Sequence, residues 1–407
     1  MTPSVNQAVI LAGGFGTRLG HLTQNVPKPL LLVAGVPFVD YVVRWLARYG
    51  IEEIILSTGY LSHSFDTFLA GRTWRNSYGE PLRVRTIVEN KPAGTGGALA
   101  LMRKELQHRF LLINGDSFFN CNLSALLAQA DALPPGGAAL TVRAVSDAER
   151  YGRIEVTGDL ITAFAEKSGS GPGLINAGVS LIDLTAIERF NDIPCSIEKE
   201  IYPRLCAEGR LKAVQQSGYF VDIGIPETYS LAQDELPRAV RRPAVFLDRD
   251  GVLNEDRGYV HQPKDFTWIP GAIDAVRMAI EAGYLIIVLT NQAGVARGLY
   301  GEDAINKLHH FINSTLVSRS ACINAFYYCP YHPEAVVPEY RRAHEDRKPS
   351  PGMLTRAAAD YPIDMSHSFL IGDQDSDMAA AAAAGIAGHK FTGGNLAELM
   401  QRLILVN

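Results

Sequence analysis

Residues 8–19 read AVILAGGFGTRL. The run 8–12 is apolar without alternation, the pattern of a strand buried on both faces of a parallel sheet. It passes directly into Gly13-Gly14, and the end of a strand is where open α/β sheets bind ligands. Gly13, Gly14 and Gly16 let backbone approach a phosphate closely and leave N–H groups to point at it. Arg18 adds a bidentate donor for phosphate oxygens. Lys28, held between Pro27 and Pro29, adds a point charge that can meet a triphosphate.

Outward from this stretch, short apolar runs alternate with helical patterns, the signature of an α/β chain. Residues 38–49 have helical spacing and stop at Gly50; 53–58 and 110–113 read as strands, and strand-like pieces recur at 139–143, 153–165 and 177–182. At 234–243 (DELPRAVRRP) the pattern lapses into mixed charge and two prolines, the mark of a boundary. The reading is a first domain at 1–236, a linker at 237–243 and a second domain at 244–407. The second series has strands at 244–248, 285–290, 325–328 and 368–372, and helices at 271–282, 302–317, 351–360 and 376–384.

The 407 residues suffice for two cores. Hydrophobic residues make up 47% and charged residues 20%, the balance of a globular protein. A net charge of -5 points away from nucleic acid and from anionic membranes, so phosphate binding must come from local sites. No apolar run approaches the roughly 20 residues of a membrane span. The opening MTPSVNQAVILAGG has no basic leader, so a signal peptide is not expected. Five scattered cysteines (Cys121, Cys195, Cys206, Cys322, Cys329) read as reduced thiols, and the expected location is cytoplasmic.

More polar groups gather at strand ends in the first half: Glu89, then Gly94-Thr95-Gly96-Gly97 opening a helix, Asp116, Glu166-Lys167 and Asp222. Asp116 and Asp222 suit the hard oxygen coordination of Mg²⁺. In the second half, side chains at i and i+2 of an extended segment point the same way, so Asp248 and Asp250 can converge on one substrate. One carboxylate can attack phosphorus while the other works as general acid and then base. Thr290, Asn291 and Gln292 offer hydroxyl and amide donors, Arg347 and Lys348 supply cations, and Asp373, Asp375 and Asp377 supply carboxylates for Mg²⁺.

The motifs LAGGFGTRL, PKPL, GTGGAL, NGDS, EK, NAG and DIG resemble, in the same order, those of the sugar-1-phosphate nucleotidyltransferases. The resemblance implies a Rossmann-like mixed sheet. It implies that Leu11, Ala12, Gly13, Gly14, Gly16, Thr17, Arg18 and Lys28 hold a nucleoside triphosphate, with Glu89, Gly94 and Thr95 near the base. Asp116 and Asp222 would hold Mg²⁺, and Glu166, Lys167 and Asn176 would face the sugar phosphate. The domain ends too early for the β-helix or acyltransferase extension of some relatives.

The second half resembles the haloacid-dehalogenase-like phosphatases, a Rossmannoid fold. Asp248 then looks like the nucleophile and Asp250 the acid/base, with Thr290 and Lys348 on the phosphoryl group. Mg²⁺ would sit on Asp248, Asp373 and the Asp250 carbonyl, and Asp377 would orient the lysine. DRDGVLNEDRGYVHQPKDFTWIPGA, TNQAGVARG, YYCPYHP and RKPSPGML are similar to the heptose-1,7-bisphosphate phosphatase subgroup, so Asn291, Arg347 and the loop 258–261 would touch the sugar bisphosphate. That subgroup usually carries structural zinc on C-x-H and C-x-C pairs. Here Cys329-Pro330-Tyr331-His332 and His344-Glu345-Asp346 depart from both, and a zinc-free loop is expected.

The pairing implies consecutive steps, in which a heptose 1,7-bisphosphate loses its 7-phosphate and the heptose 1-phosphate then receives a nucleotidyl group. By resemblance to the guanylyltransferase branch, GTP is the expected donor among the nucleoside triphosphates and GDP-D-glycero-α-D-manno-heptose the product. Another sugar 1-phosphate (mannose or an amino sugar), with a phosphatase of histidinol-phosphate or other sugar-phosphate specificity, is the alternative. The oligomeric state is not legible.

Overall fold

A computed structural model describes residues 5–89, 91–149, 151–165, 171–188 and 194–406. The chain divides into two compact units, one of residues 1–74 and 81–239, the other of 75–80 and 240–407.

The first unit is built on a ten-stranded sheet. Its heart is parallel: Gln7–Leu11 lies between Glu53–Thr58 and Arg109–Asn114, and Glu53–Thr58 pairs onward with Pro81–Val88. The far side turns antiparallel through the long strand Gly173–Asp183, which pairs with both Arg109–Asn114 and Ala138–Val145. Val9, Ile55, Phe110 and Leu112 are buried in one core cluster. Each such side chain contributes about 1.5–3 kcal/mol on leaving water. In the strand Gly173–Asp183 the register shifts between Asn176 and Ser180, where Gly178 takes φ +78° and its N–H donates to Asn176 Oδ1 at 3.0 Å. The Asn176 side chain thus caps the bulge.

The second unit carries five parallel strands in the order Ala325–Cys329, Leu285–Asn291, Ala244–Leu247, Phe369–Gly372, Ala387–Lys390. Asp248 directly follows one strand and Asp373 another, while Thr290 and Asn291 close a third. Connectivity alone thus delivers the polar motifs to one edge of the sheet.

Two expectations need correction. The linker at 237–243 begins inside a helix, Pro226–Val240, which runs through Pro237; only 241–243 separate it from the strand Ala244–Leu247. The expected strand 153–165 is a hairpin, Arg153–Thr157 and Leu160–Ala165, turned at Gly158 with φ +62°.

Candidate active sites

In the first unit a cavity of about 550 Å³ opens at the C-terminal ends of the parallel strands, lined by Leu11 to Phe15, Lys28, Glu89, Gly94, Thr95, Asp116 and Glu198, among others. Close backbone approach builds it: the Gly115 N–H donates to the Leu11 carbonyl at 3.0 Å, and a Cβ at Gly13 would come within 3.1 Å of Glu89 Oε1. Gly16, at φ +64°, is pinned by the Thr23 hydroxyl, which donates to its carbonyl at 3.0 Å.

Lys28 is nearly buried and places Nζ 2.7 Å from Asp116 Oδ2. The short pairing of Phe220–Asp222 with Ser117–Phe119 sets Asp222 opposite Ser117, one residue from Asp116. Burial and the Asp116 charge push the Asp222 carboxyl above its ordinary value, against the pull of Lys28 and Arg18. Arg18 lies at Gly224, where a Cβ would meet Nη2 at 3.1 Å. Gly16, Thr17, Arg18, Asn176 and Asp222 are outside the cavity lining.

The helix Gly94–Leu101 is used differently from a free phosphate-binding N-terminus. The N–H groups of Gly96 and Gly97 donate to the Cys195 carbonyl at 2.9 and 3.1 Å. The Thr95 hydroxyl donates to Glu198 Oε2 at 2.9 Å and accepts from Ile197 N–H at 2.9 Å. Gly94, at φ +74°, leaves no room for a Cβ against Cys195. The glycines therefore dock the segment after 194, which brings Glu198 to the cavity wall. Glu166 and Lys167 lie outside the described residues.

In the second unit Lys348 is buried at the centre. Its Nζ lies 2.9 Å from Asp248 Oδ1, 2.6 Å from Asp377 Oδ1 and 2.8 Å from the Leu289 carbonyl. Among the described residues one group could hold a metal ion through three or more side chains: Asp248, Asp373 and Asp377 have ligand atoms within 4.8 Å of one another. Asp373 Oδ1 is buried with no hydrogen-bond partner, the condition of an oxygen facing a cation, so the donor set fits a hard divalent ion. Burial pushes the Asp248 carboxyl up to about 7, against the pull of Lys348.

Asp250 accepts from Arg249 Nη2 at 2.8 Å, Asn254 Nδ2 at 2.9 Å and Gln292 Nε2 at 3.1 Å. Asn291 is turned to the chain: its amide donates to the Lys348 carbonyl and accepts from the Lys348 N–H, both at 3.1 Å. Arg347 Nη1 donates to the Tyr331 carbonyl at 3.2 Å, leaving the half-buried guanidinium without a carboxylate partner among the described residues. In the segment 329–346, His344 stacks on Tyr331 and Asp346 pairs with Arg356.

A family model described as nucleotidyl transferase matches residues 7–238. The chain belongs to the nucleotidyl transferase family. A HAD-hydrolase-like family model matches residues 346–398 of this nucleotidyl transferase. The D-glycero-beta-D-manno-heptose-1,7-bisphosphate 7-phosphatase of Rhodopseudomonas palustris is 43% identical over 167 residues, 41% of this chain and 93% of that protein. The phosphatase of the same name from Escherichia coli K12 is 44% identical over 144 residues, 35% of this chain and 75% of that one. The structure of HddC from Yersinia pseudotuberculosis is 31% identical with a TM-score of 0.50, covering 57% of this chain and all of that one; a second structure holds GMP-PN. The nucleotidyl transferase is thus a bifunctional enzyme whose second part is a haloacid-dehalogenase-like phosphatase.

Several residues at these sites escaped the sequence. Glu198 and Thr23 stand in no motif. Arg249 and Asn254 lie inside the quoted DRDGVLN motif, but only the fold shows that both grip Asp250.

Proposed function

We propose that the second unit removes the 7-phosphate of a D-glycero-D-manno-heptose 1,7-bisphosphate and that the first transfers GMP from GTP to the resulting heptose 1-phosphate. The products are GDP-D-glycero-α-D-manno-heptose and pyrophosphate, a cytoplasmic supply for surface glycans. The observation that carries the reading is the cluster Asp248–Lys348–Asp373–Asp377 in the same chain as the Lys28–Asp116 cleft.

In the phosphatase, an Asp248 oxygen attacks phosphorus. The bond to the sugar oxygen breaks and Asp250 gives that oxygen a proton. Water then attacks the aspartyl phosphate, Asp250 takes its proton, and phosphate leaves. Lys348 offsets the charge of Asp248, Thr290 donates to the phosphoryl group, Asn291 holds the Lys348 backbone, and Arg347 faces the sugar bisphosphate. In the first unit an oxygen of the sugar 1-phosphate attacks the α-phosphorus in line. Its charge is already present, so the protein's task is positioning and neutralisation by Arg18, Lys28 and Lys167. Mg²⁺ on Asp116 with Asp222, and on Asp248 with Asp373 and the Asp250 carbonyl, would screen charge at each phosphorus.

GTP is favoured by two observations. HddC binds GMP-PN, and Glu89 sets a carboxylate on the cavity wall, an acceptor pair for the N1–H and N2–H of guanine. The curated phosphatases carry the β anomer in their names, so both anomers belong in the test. The full chain is incubated with each heptose 1,7-bisphosphate anomer, each nucleoside triphosphate and Mg²⁺, and products are read by mass spectrometry. GDP-heptose as the dominant product supports the reading. A faster rate with mannose 1-phosphate, an amino-sugar phosphate or another nucleotide overturns it.

A further inference from the structure

Gln292 directly follows the strand Leu285–Asn291 and is 2% exposed. Its Nε2 lies 3.1 Å from Asp250 Oδ2 and 2.8 Å from Thr290 Oγ1, and its Oε1 lies 2.9 Å from the Tyr300 hydroxyl. The two ends of a carboxamide are chemically opposite, one a double donor and the other an acceptor. The NH₂ end is the one that faces the Asp250 carboxyl, which also accepts from Arg249 and Asn254. The oxygen is left for Tyr300, whose phenol must donate. Burial pushes that phenol up to about 12, which keeps its proton in place. The second N–H goes to Thr290 Oγ1. A hydroxyl that accepts there directs its single proton elsewhere, and among the described residues no acceptor takes it.

Tyr300 is itself fixed. Its ring fills the space a Cβ at Gly294 would need and stacks on His261, centroids 4.4 Å apart. From the other side Arg249 Nη2 donates to both Asp250 and the Val260 carbonyl. The loop 258–261 is therefore joined to the Asp250 carboxylate by two routes.

We propose that Gln292, its amide locked by Tyr300, is a positioning residue that aims the Thr290 hydroxyl at the transferred phosphoryl group and holds the Asp250 carboxylate toward the leaving oxygen. The proposal rests on the roles given above to Asp248, Asp250 and Thr290. Gln292 is not a substrate contact, because both N–H groups and the oxygen already have partners inside the protein.

The test uses the full chain, with a thermal melt reporting folding and nucleotidyl transfer calibrating the amount of protein in the same preparation. Tyr300→Phe keeps the ring and the stack and deletes one proton; Gln292→Glu replaces the donors by a second carboxylate. The expected phosphatase kcat falls roughly 3–10-fold for Tyr300→Phe and about 100-fold or more for Gln292→Glu. KM and nucleotidyl transfer hold, and each variant keeps a cooperative melt. Wild-type kcat in both variants overturns the proposal, as does a rise in KM at constant kcat, which would make Gln292 a substrate contact. Should Gln292→Glu not fold, Tyr300→Phe decides alone. Asp248→Asn is run beside them: if it keeps phosphatase activity, the site reading fails, and the inference about Gln292 falls only as a consequence.

Discussion

At the scale of single residues, the phosphatase centre is organised by saturation. Lys348 donates to the Leu289 carbonyl and lies within ion-pair distance of Asp248 and Asp377, so the ammonium is held from three sides. Asn291 fixes the backbone from which it extends. Asn291→Ala should therefore lower phosphatase kcat by roughly 10-fold, the loss of about 1.4 kcal/mol from two modest hydrogen bonds. Steady-state kinetics of phosphate release check this, with nucleotidyl transfer by the same sample unchanged. In the other unit, Glu89 accepts from the Ser57 hydroxyl at 3.1 Å through one oxygen and is approached by the Ala93 N–H at 3.4 Å through the other. A charged acceptor for a guanine edge is worth about 1.5–3 kcal/mol. On the proposed reading, Glu89→Gln should cost GTP roughly 10–100-fold in kcat/KM and cost ATP much less. Equal losses for both nucleotides would show that Glu89 does not read the base.

At the scale of elements, the helix Gly94–Leu101 depends on one contact. Gly94→Ala puts a Cβ into the Cys195 carbonyl at a positive φ, and the docked segment with Glu198 must shift. Nucleotidyl transfer should fall at least 10-fold while phosphatase activity persists, read from parallel assays. The helix Glu302–Val317 carries His309, fully buried against Phe326, neither ring nitrogen hydrogen-bonded among the described residues. Burial holds it well below its ordinary value of 6.5. The unfolded chain then takes up a proton that the folded chain refuses. Its stability contribution is complete above about pH 6.5 and is lost on acidification by up to about 1.4 kcal/mol per pH unit. Urea unfolding between pH 8 and about 5 should show this slope as the difference between wild type and His309→Leu, because Asp248, pushed up to about 7, adds a slope of opposite sign to both.

The same scale shows what the sequence could convey. Buried parallel strands such as Gln7–Leu11, Ala244–Leu247 and Leu285–Asn291 were legible because both faces are apolar. Pro81–Val88 was legible only at its end, before Glu89, because Arg83 and Arg85 lie within it and pair with Glu53 on the neighbouring strand. The charges that hid the strand help to hold it. Likewise Asn291 read as a ligand donor from its motif, and only the backbone crossing at Lys348 shows where its amide is directed.

At the scale of the molecule, each unit has its own sheet and its own site. Asp248→Asn should abolish phosphate release and spare nucleotidyl transfer, and Asp116→Ala should do the reverse; coupled assays on both variants and on their mixture check this. The mixture should restore the overall conversion. The charge balance around Lys348 governs how the phosphatase behaves in a chelating buffer. Asp248, Asp373 and Asp377 surround a single ammonium, that of Lys348, leaving two negative charges uncompensated when all three are ionised. A divalent ion neutralises that excess; without one, a proton must come instead, and Asp248, pushed up to about 7, is where it goes. Protons and metal thus compete for one seat. Apparent Mg²⁺ affinity should weaken as pH drops below about 7, and EDTA should depress the melting temperature more at pH 8 than at pH 6, where protonation already covers part of the deficit.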